Sequence, residues 1–257
     1  GKTVEDPYFK GKGPTRTGCT HCGACMTGCR FNAKNTLDKN YLYLAQQLGT
    51  EIFAEKEVFN VTTLNSTDGS EGYKVEYKSS IGKKTLGNIT AKGVIFSGGV
   101  MGTVALLLKL KQQSLPNLSD KVGCNIRTNN ESLLLVTSTA KKYKDFSKGI
   151  AIGSILHTDK NSHLEPVRYG EGSSFFRMLA IPMVNSKSLL IRFFGVFSVF
   201  LKYPLKMFKT IFTKNYAKRT TVLLFMQSLD STLQLKLGKI TKMKSKTEDG
   251  KKPSAYI

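Results

Sequence analysis

The sequence predicts a mixed fold, α+β or α/β, and three observations carry that prediction. GVIFSGGVMGTVALLLKLKQQ (93–113) reads as a buried strand, a glycine turn and a helix. Upstream, three short strand candidates at 52–61, 73–77 and 85–96 are divided by the turn pairs Asp68-Gly69 and Ile81-Gly82. Towards the other end, 221–227 and 233–237 read as two paired strands.

The remaining elements follow in chain order. Residues 1–17 read as loop, with Gly1, Pro7, Gly11, Gly13 and Pro14 breaking any regular pattern. A cysteine-rich loop occupies 19–29. A helix is predicted to begin at Asn35 or Thr36, either a good N-cap. Leu37, Tyr41, Leu44 and Leu48 then make one apolar stripe at i, i+4, i+7 and i+11, and Gly49 stops it. After the helix that follows Gly98 and Gly99, residues 114–188 are loop-rich, with strand candidates at 133–138 and 150–157. Residues 189–203 are almost wholly apolar, interrupted by Arg192 and stopped by Pro204. The tail from Lys242 is polar and expected to be mobile. These shifts divide the chain into 1–132, 133–241 and 242–257.

A chain of 257 residues can bury a substantial core, as one large domain or two small ones. Its net charge of +21 suits a surface that meets something anionic: nucleic acid, acidic lipid or an acidic partner. A Lys-rich solvated surface is the plainer reading. Residues 189–244 hold eleven Lys or Arg and one acid, Asp230. Aromatic residues there form an apolar run instead of alternating with basic ones, which argues against a base-stacking surface. Zinc-finger, RNP and helix-turn-helix patterns are missing, so nucleic acid is not an expected partner.

Four of the five cysteines fall in GCTHCGACMTGC, as Cys19, Cys22, Cys25 and Cys29. The C-x2-C-x2-C-x3-C spacing is that of a bacterial ferredoxin run, in which a tight loop aims several thiolates at one iron–sulfur cluster. An iron–sulfur electron-transfer protein is therefore one functional reading. Arg30 stands where such runs carry proline, and no second run follows, although Cys124 could complete a set. A closed zinc site is a second option. A cysteine-rich loop without metal is a third.

The residues after the loop point elsewhere. GCTHCGACMTGCRFNAKNTLDKNYLYLAQQLG, GVIFSGGVMGTVALLL and SLPNLSDKVGCNIRTNNESL together resemble the glucose–methanol–choline (GMC) oxidoreductases, in the branch that is cholesterol-oxidase-like. The resemblance covers most of 1–187 and resumes near 219–235. It implies an FAD-dependent enzyme that oxidises the hydroxyl of a sterol or other bulky hydrophobic alcohol by hydride transfer to the flavin. It also implies part of an FAD-binding, Rossmann-like domain over 1–132 and part of a substrate domain with an antiparallel sheet over 133–241.

By position, Val58 resembles the family residue whose backbone meets the adenine. Gly98 and Gly99 resemble the glycine turn on the pyrophosphate side of FAD, where side-chain-free backbone can approach a phosphate. Glu165, in HLEPVRYGEG, resembles an active-site carboxylate of steroid-oxidising relatives, which implies proton transfer on the substrate side. Arg168, three residues on, offers an alternative, a surface ion pair. Nothing marks His157 or His163 as catalytic, and His21 lies inside the cysteine loop.

Two parts of the family pattern are missing: the first G-x-G-x-x-G fingerprint and the C-terminal His and Asn that hold the alcohol beside the flavin. The chain also starts without Met. Both features suit a central piece of a longer chain, expected to be inactive by itself. No hydrophobic signal segment is visible at the N-terminus, so a cytoplasmic or peripheral-membrane location is expected. The apolar run 189–203 would be roughly 22 Å long as a helix, short of the ~20 residues that span a bilayer. Lys202, Lys206, Lys209 and Lys214 flank it. Such a segment suits the interface of an anionic membrane; a buried helix of the substrate domain is the alternative.

Overall fold

The computed structural model describes residues 1–186, 188–238 and 243–250. Its sheets are all antiparallel, and with the helices they make an α+β arrangement. Residues cluster into two units, each built from separated stretches of chain. One holds Gly1–Thr50 with Asn130–Ser228. The other holds Glu51–Asn129 with the segment that starts at Leu229.

In the first unit the N-terminal segment is not all loop. β1 (Thr3–Val4) pairs with β2 (Arg16–Thr17), and the Asp6 carboxylate accepts from the backbone N–H groups of Tyr8, Phe9 and Gly13, closing the turn between them. The predicted helix appears as a 3₁₀ turn, Leu37–Lys39, followed by α1 (Tyr41–Gln47). Gly49, at φ 90°, ends it as expected. The apolar stripe does not make a core in this chain: Leu37, Tyr41 and Leu48 are exposed.

In the second unit the three strand candidates form a meander. β3 (Lys56–Thr63) pairs with β4 (Tyr73–Ser79), which pairs with β5 (Leu86–Ala91). Asp68 Oδ1 accepts from the Ser70 N–H, and Gly69 and Gly82 take the left-handed backbone that the two turns require. The strand expected to run to residue 96 stops at Ala91. Residues 93–96 are apolar yet pair with no described strand, and Ile95 is 91% exposed. A strand exists only through a partner, and none of the described residues supplies one. α2 (Val100–Gln112) then packs Leu110 against Val61 and Val75, with Tyr73, Val94, Phe96 and Leu106 around them.

A four-stranded sheet forms the centre of the first unit. Its members are β6 (Ser132–Thr137), β7 (Leu156–Asp159), β8 (Ser162–Val167) and β9 (Thr220–Gln227), in the order β6-β9-β8-β7. Val167, Val222 and Leu224 make its core with Leu135, Tyr169 and Met226. β8 is not among the strands the sequence predicts, and it carries Pro166 inside it. A 3₁₀ segment, Ser174–Leu179, precedes α3 (Leu189–Lys202) and α4 (Pro204–Ile211), and α5 (Tyr216–Arg219) leads into β9. Pro204 does stop α3, and it also serves as the first residue of α4, where its missing N–H costs nothing.

The expected pairing of 221–227 with 233–237 is not observed. β9 lies between β6 and β8, whereas β10 (Ser231–Leu237) pairs with β11 (Met243–Gly250). β11 also corrects the expectation for the tail: Met243–Gly250 is a ladder strand, not loose chain. Residues 251–257 lie outside the described residues. A parallel, Rossmann-like sheet is not seen among the described residues.

Candidate functional site

In the second unit, the Gly98-Gly99 turn delivers the chain into α2. Gly99 has φ 85° and ψ 146°, a backbone that an L side chain resists, and its carbonyl accepts the first helical bond from Thr103 N–H. A Cβ added at Gly99 or Gly102 would meet no atom within 4 Å, and one added at Gly98 would meet only Thr103 Oγ1 at 3.7 Å. The first turn of α2 carries no acidic residue. Unbonded N–H groups, a partial positive charge and an open approach therefore coincide at this helix start. That donor set fits a phosphate group, so Gly98 and Gly99 can hold the pyrophosphate side of a dinucleotide. Val58 stands on β3 opposite Tyr77, just before the register shift that precedes Asn60, and is 37% exposed.

A second-unit concavity was not foreseen in the sequence. It has a volume of about 530 Å³ and lies between β3, the 92–96 segment and the loop after α2, with Thr63, Asp68, Lys92 and Asn117 among its polar lining. Sequence signal for it was absent, since its walls come from segments as far apart as Val61 and Leu118.

Glu165 lies on β8 opposite Leu224 of β9. Alternation along β8 puts it on the same face as His163 and Val167, and so beside the apolar cluster of Val167, Val222 and Leu224. Its nearest polar neighbour on the strand is His163, with Nε2 3.8 Å from Glu165 Oε1; both side chains are mostly buried. Arg168 instead donates to the Ile150 carbonyl. His157 faces His163 across the β7–β8 ladder, with ring centroids 5.8 Å apart. The sequence reading passed over His163. The signal was the i, i+2 spacing of His163 and Glu165, legible only once the segment is known to be a strand.

The four clustered cysteines line one small, mostly apolar cavity of about 170 Å³ in the first unit, closed by Phe31 and Ile150. None is in a disulfide. Among the described residues no group of three or more His, Cys, Asp or Glu is placed to hold a metal ion. The expectation of an iron–sulfur or zinc site at Cys19, Cys22, Cys25 and Cys29 is therefore not supported. Ferredoxin-like spacing sets the distance along the chain, but the turns between the cysteines decide where the sulfurs point. The Cys29 thiol sits below its ordinary range, chiefly through backbone hydrogen bonding from Ala33; burial pushes it up, and Lys34, Phe31 and the Lys39 charge lower it further.

α3 and α4 bury none of their residues. Leu190, Phe193, Phe194, Phe197, Leu205 and Phe208 are among the exposed ones. Lys202 and Lys206 both lie over the Tyr203 ring, at 5.4 and 5.3 Å from its centroid. No helix among the described residues is long and apolar enough to cross a membrane.

No family model matches the chain. Among curated proteins, the chain is 40% identical over 269 aligned residues to a protein named cholesterol oxidase from Acinetobacter baumannii, an alignment covering 100% of this chain and 47% of that protein. It is 35% identical over 239 residues to a protein of the same name from Mycobacterium tuberculosis, covering 91% of this chain and 41% of the relative. The chain thus spans somewhat less than half the length of the curated relatives it matches.

Proposed function

We propose that this chain is a central segment of an FAD-dependent oxidoreductase of the GMC type, acting on the CH–OH group of a sterol or other bulky hydrophobic alcohol. The observation that carries the reading is the match along the whole chain to proteins named cholesterol oxidase. The open Gly98-Gly99 turn supports it, because it offers unobstructed backbone donors to a pyrophosphate. Bound FAD would supply the hydride acceptor; the chain's own residues bind, orient and shield. Val58, Gly98 and Gly99 are the residues assigned to FAD, within a Rossmann-like domain completed by further chain. Glu165 is assigned to proton movement on the substrate side. Its place beside an apolar cluster suits a sterol neighbour, and His163 at 3.8 Å gives the proton a second seat.

The α3–α4 face is assigned to docking on an anionic bilayer, the phase in which such an alcohol resides. Exposed Phe and Leu side chains would enter the acyl boundary, while Lys202, Lys206, Lys209 and Lys214 meet the headgroups.

The test is purification of the full-length protein. A yellow protein that releases FAD on denaturation and oxidises cholesterol is expected. A colourless protein with no releasable dinucleotide overturns the reading. Gly98→Ala sharpens it: the added methyl meets only Thr103 Oγ1 within the chain, so lost FAD with unchanged unfolding would report on the ligand's approach. Glu165→Gln is expected to leave FAD content intact and to lower turnover more than sterol affinity.

A further inference from the structure

The cysteine loop is the one motif that the oxidoreductase reading leaves unused. Four thiols from an eleven-residue stretch face one cavity, no disulfide joins them, and their sulfurs are not arranged for a metal ion. Spending four cysteines on packing alone would be unusual, because other small apolar residues fill such a space without oxidisable sulfur.

We propose that this loop is a peroxide-reactive thiol site, in which Cys29 is the sulfur that peroxide oxidises and one of Cys19, Cys22 and Cys25, which share its cavity, is the resolving thiol. The turn after Cys29 provides the activating geometry. Asn32 adopts a left-handed backbone at φ 56°, the kind of conformation from which anion-binding backbone nests are built. Backbone hydrogen bonding from Ala33, and then from Lys34 and Phe31, holds the Cys29 thiol below its ordinary range against the opposing effect of burial, and so favours its thiolate. Lys34 adds a positive charge to the same wall: it lines the cavity, and its Nζ donates to the Cys25 carbonyl at 3.0 Å. Cys19 is the outermost of the four, exposed, with its sulfur accepting from the His21 N–H at 3.3 Å. A small oxidant therefore has an entrance at Cys19 and an activated sulfur at Cys29.

The chemistry balances with hydrogen peroxide as the named oxidant. The Cys29 thiolate attacks one peroxide oxygen, the O–O bond breaks, hydroxide leaves and Cys29 becomes the sulfenic acid. The resolving thiol then attacks that sulfur, the S–O bond breaks, water leaves and a disulfide forms. The two thiols give up two electrons and two protons, and one peroxide becomes two waters. The cavity wall helps the second step, because the low-polarity lining keeps bulk reductants away while the resolving thiol is already present.

Cys124 supplies an internal control, since it lies outside this cavity, with its sulfur beside the Asp120 carbonyl and the Gln234 amide. The labelling and peroxide measurements use the reduced wild-type protein. Iodoacetamide at neutral pH, followed by peptide mass mapping, is expected to label Cys29 at least about tenfold faster than Cys124, with the advantage persisting as pH is lowered. One equivalent of hydrogen peroxide is expected to form an intramolecular disulfide that includes Cys29 and leaves Cys124 reduced. Dimedone added with the peroxide should trap the sulfenate at Cys29. A Cys29→Ser protein should lose fast disulfide formation while retaining the wild-type circular dichroism spectrum. Equal labelling of Cys29 and Cys124, a disulfide without Cys29, or iron or zinc bound stoichiometrically to the purified protein would each overturn the proposal. None of these readouts requires sterol turnover, so this site and the oxidoreductase reading stand or fall separately.

Discussion

α2 and α3 are nearly equal in length, thirteen and fourteen residues, and both are rich in Leu, Val and other apolar side chains. Their fates differ. α2 seats Leu110, which has 0% exposure, in the cluster with Val61 and Val75 beside the β3–β5 meander. α3 displays Leu190, Phe193, Phe194 and Phe197 on its outside. α3 nonetheless has one tight neighbour, since a Cβ at Gly195 would run into Val184 at 2.5 Å. Apolar sequence says that a surface is costly to leave in water; it does not say what covers it. For α2 the cover is the chain's own sheet. For α3 the proposed cover is lipid.

The widest gap between the two helices should appear in stability. Leu110→Ala is expected to cost about 2–5 kcal/mol, the usual price of emptying a fully buried leucine site, read as a fall in the urea midpoint. Phe197→Ala should change it by less than about 0.5 kcal/mol. Should Phe197→Ala cost as much as Leu110→Ala, α3 is packed in the folded protein and the contrast collapses.

The reverse contrast should appear on membranes. Replacing Phe193, Phe197 and Phe208 together by Ser is expected to weaken binding to phosphatidylserine-containing vesicles by at least about tenfold, given about 1.5–3 kcal/mol for each fully buried phenylalanine. Leu110→Ala protein that remains folded should float like the wild type. Binding that ignores the three phenylalanines would remove lipid as the cover of α3. Raising the salt concentration should weaken flotation further if the lysines meet anionic headgroups.

A smaller effect belongs to the start of α2. Gly99→Ala forces a side chain into a left-handed backbone and should destabilise the protein by about 1–2 kcal/mol, whereas Gly98→Ala should not. Equal effects of the two substitutions in chemical unfolding would mean that the turn can relax.

The smallest effect concerns the β3–β4 turn. The Ser70 N–H, then the Ser70 and Ser66 hydroxyls, hold the Asp68 carboxyl down to about 2 from its ordinary 3.8. A carboxyl depressed in the folded state contributes stability above its unfolded value and loses it as pH falls through the folded one. Any advantage of the wild type over Asp68→Ala should therefore be present above about pH 4 and fade towards about pH 2, checked by thermal melts across that window. An advantage that does not fade would assign the turn to Gly69 and not to the carboxylate.

How much was legible in the residues depended on the range of the cause. Helix spans, turn glycines and the meander strands follow from periodicity and from residues a few positions apart, and 100–112 and 73–79 fell where patterning put them. The overall charge, the cysteine spacing and the segments behind the family resemblance were also present in the sequence alone. Tertiary structure decided the rest. β9 reaches back some ninety residues to β6 and turns away from its neighbour β10, because a strand pairs with whichever edge buries its apolar face. Gly93–Phe96 looks like a strand and pairs with none of the described residues. Glu165 meets His163 only because β8 is extended, and the four clustered cysteines share one cavity only because their loop folds back on itself. Local pattern fixes which backbone shapes are cheap, and long-range burial and hydrogen bonding select among them.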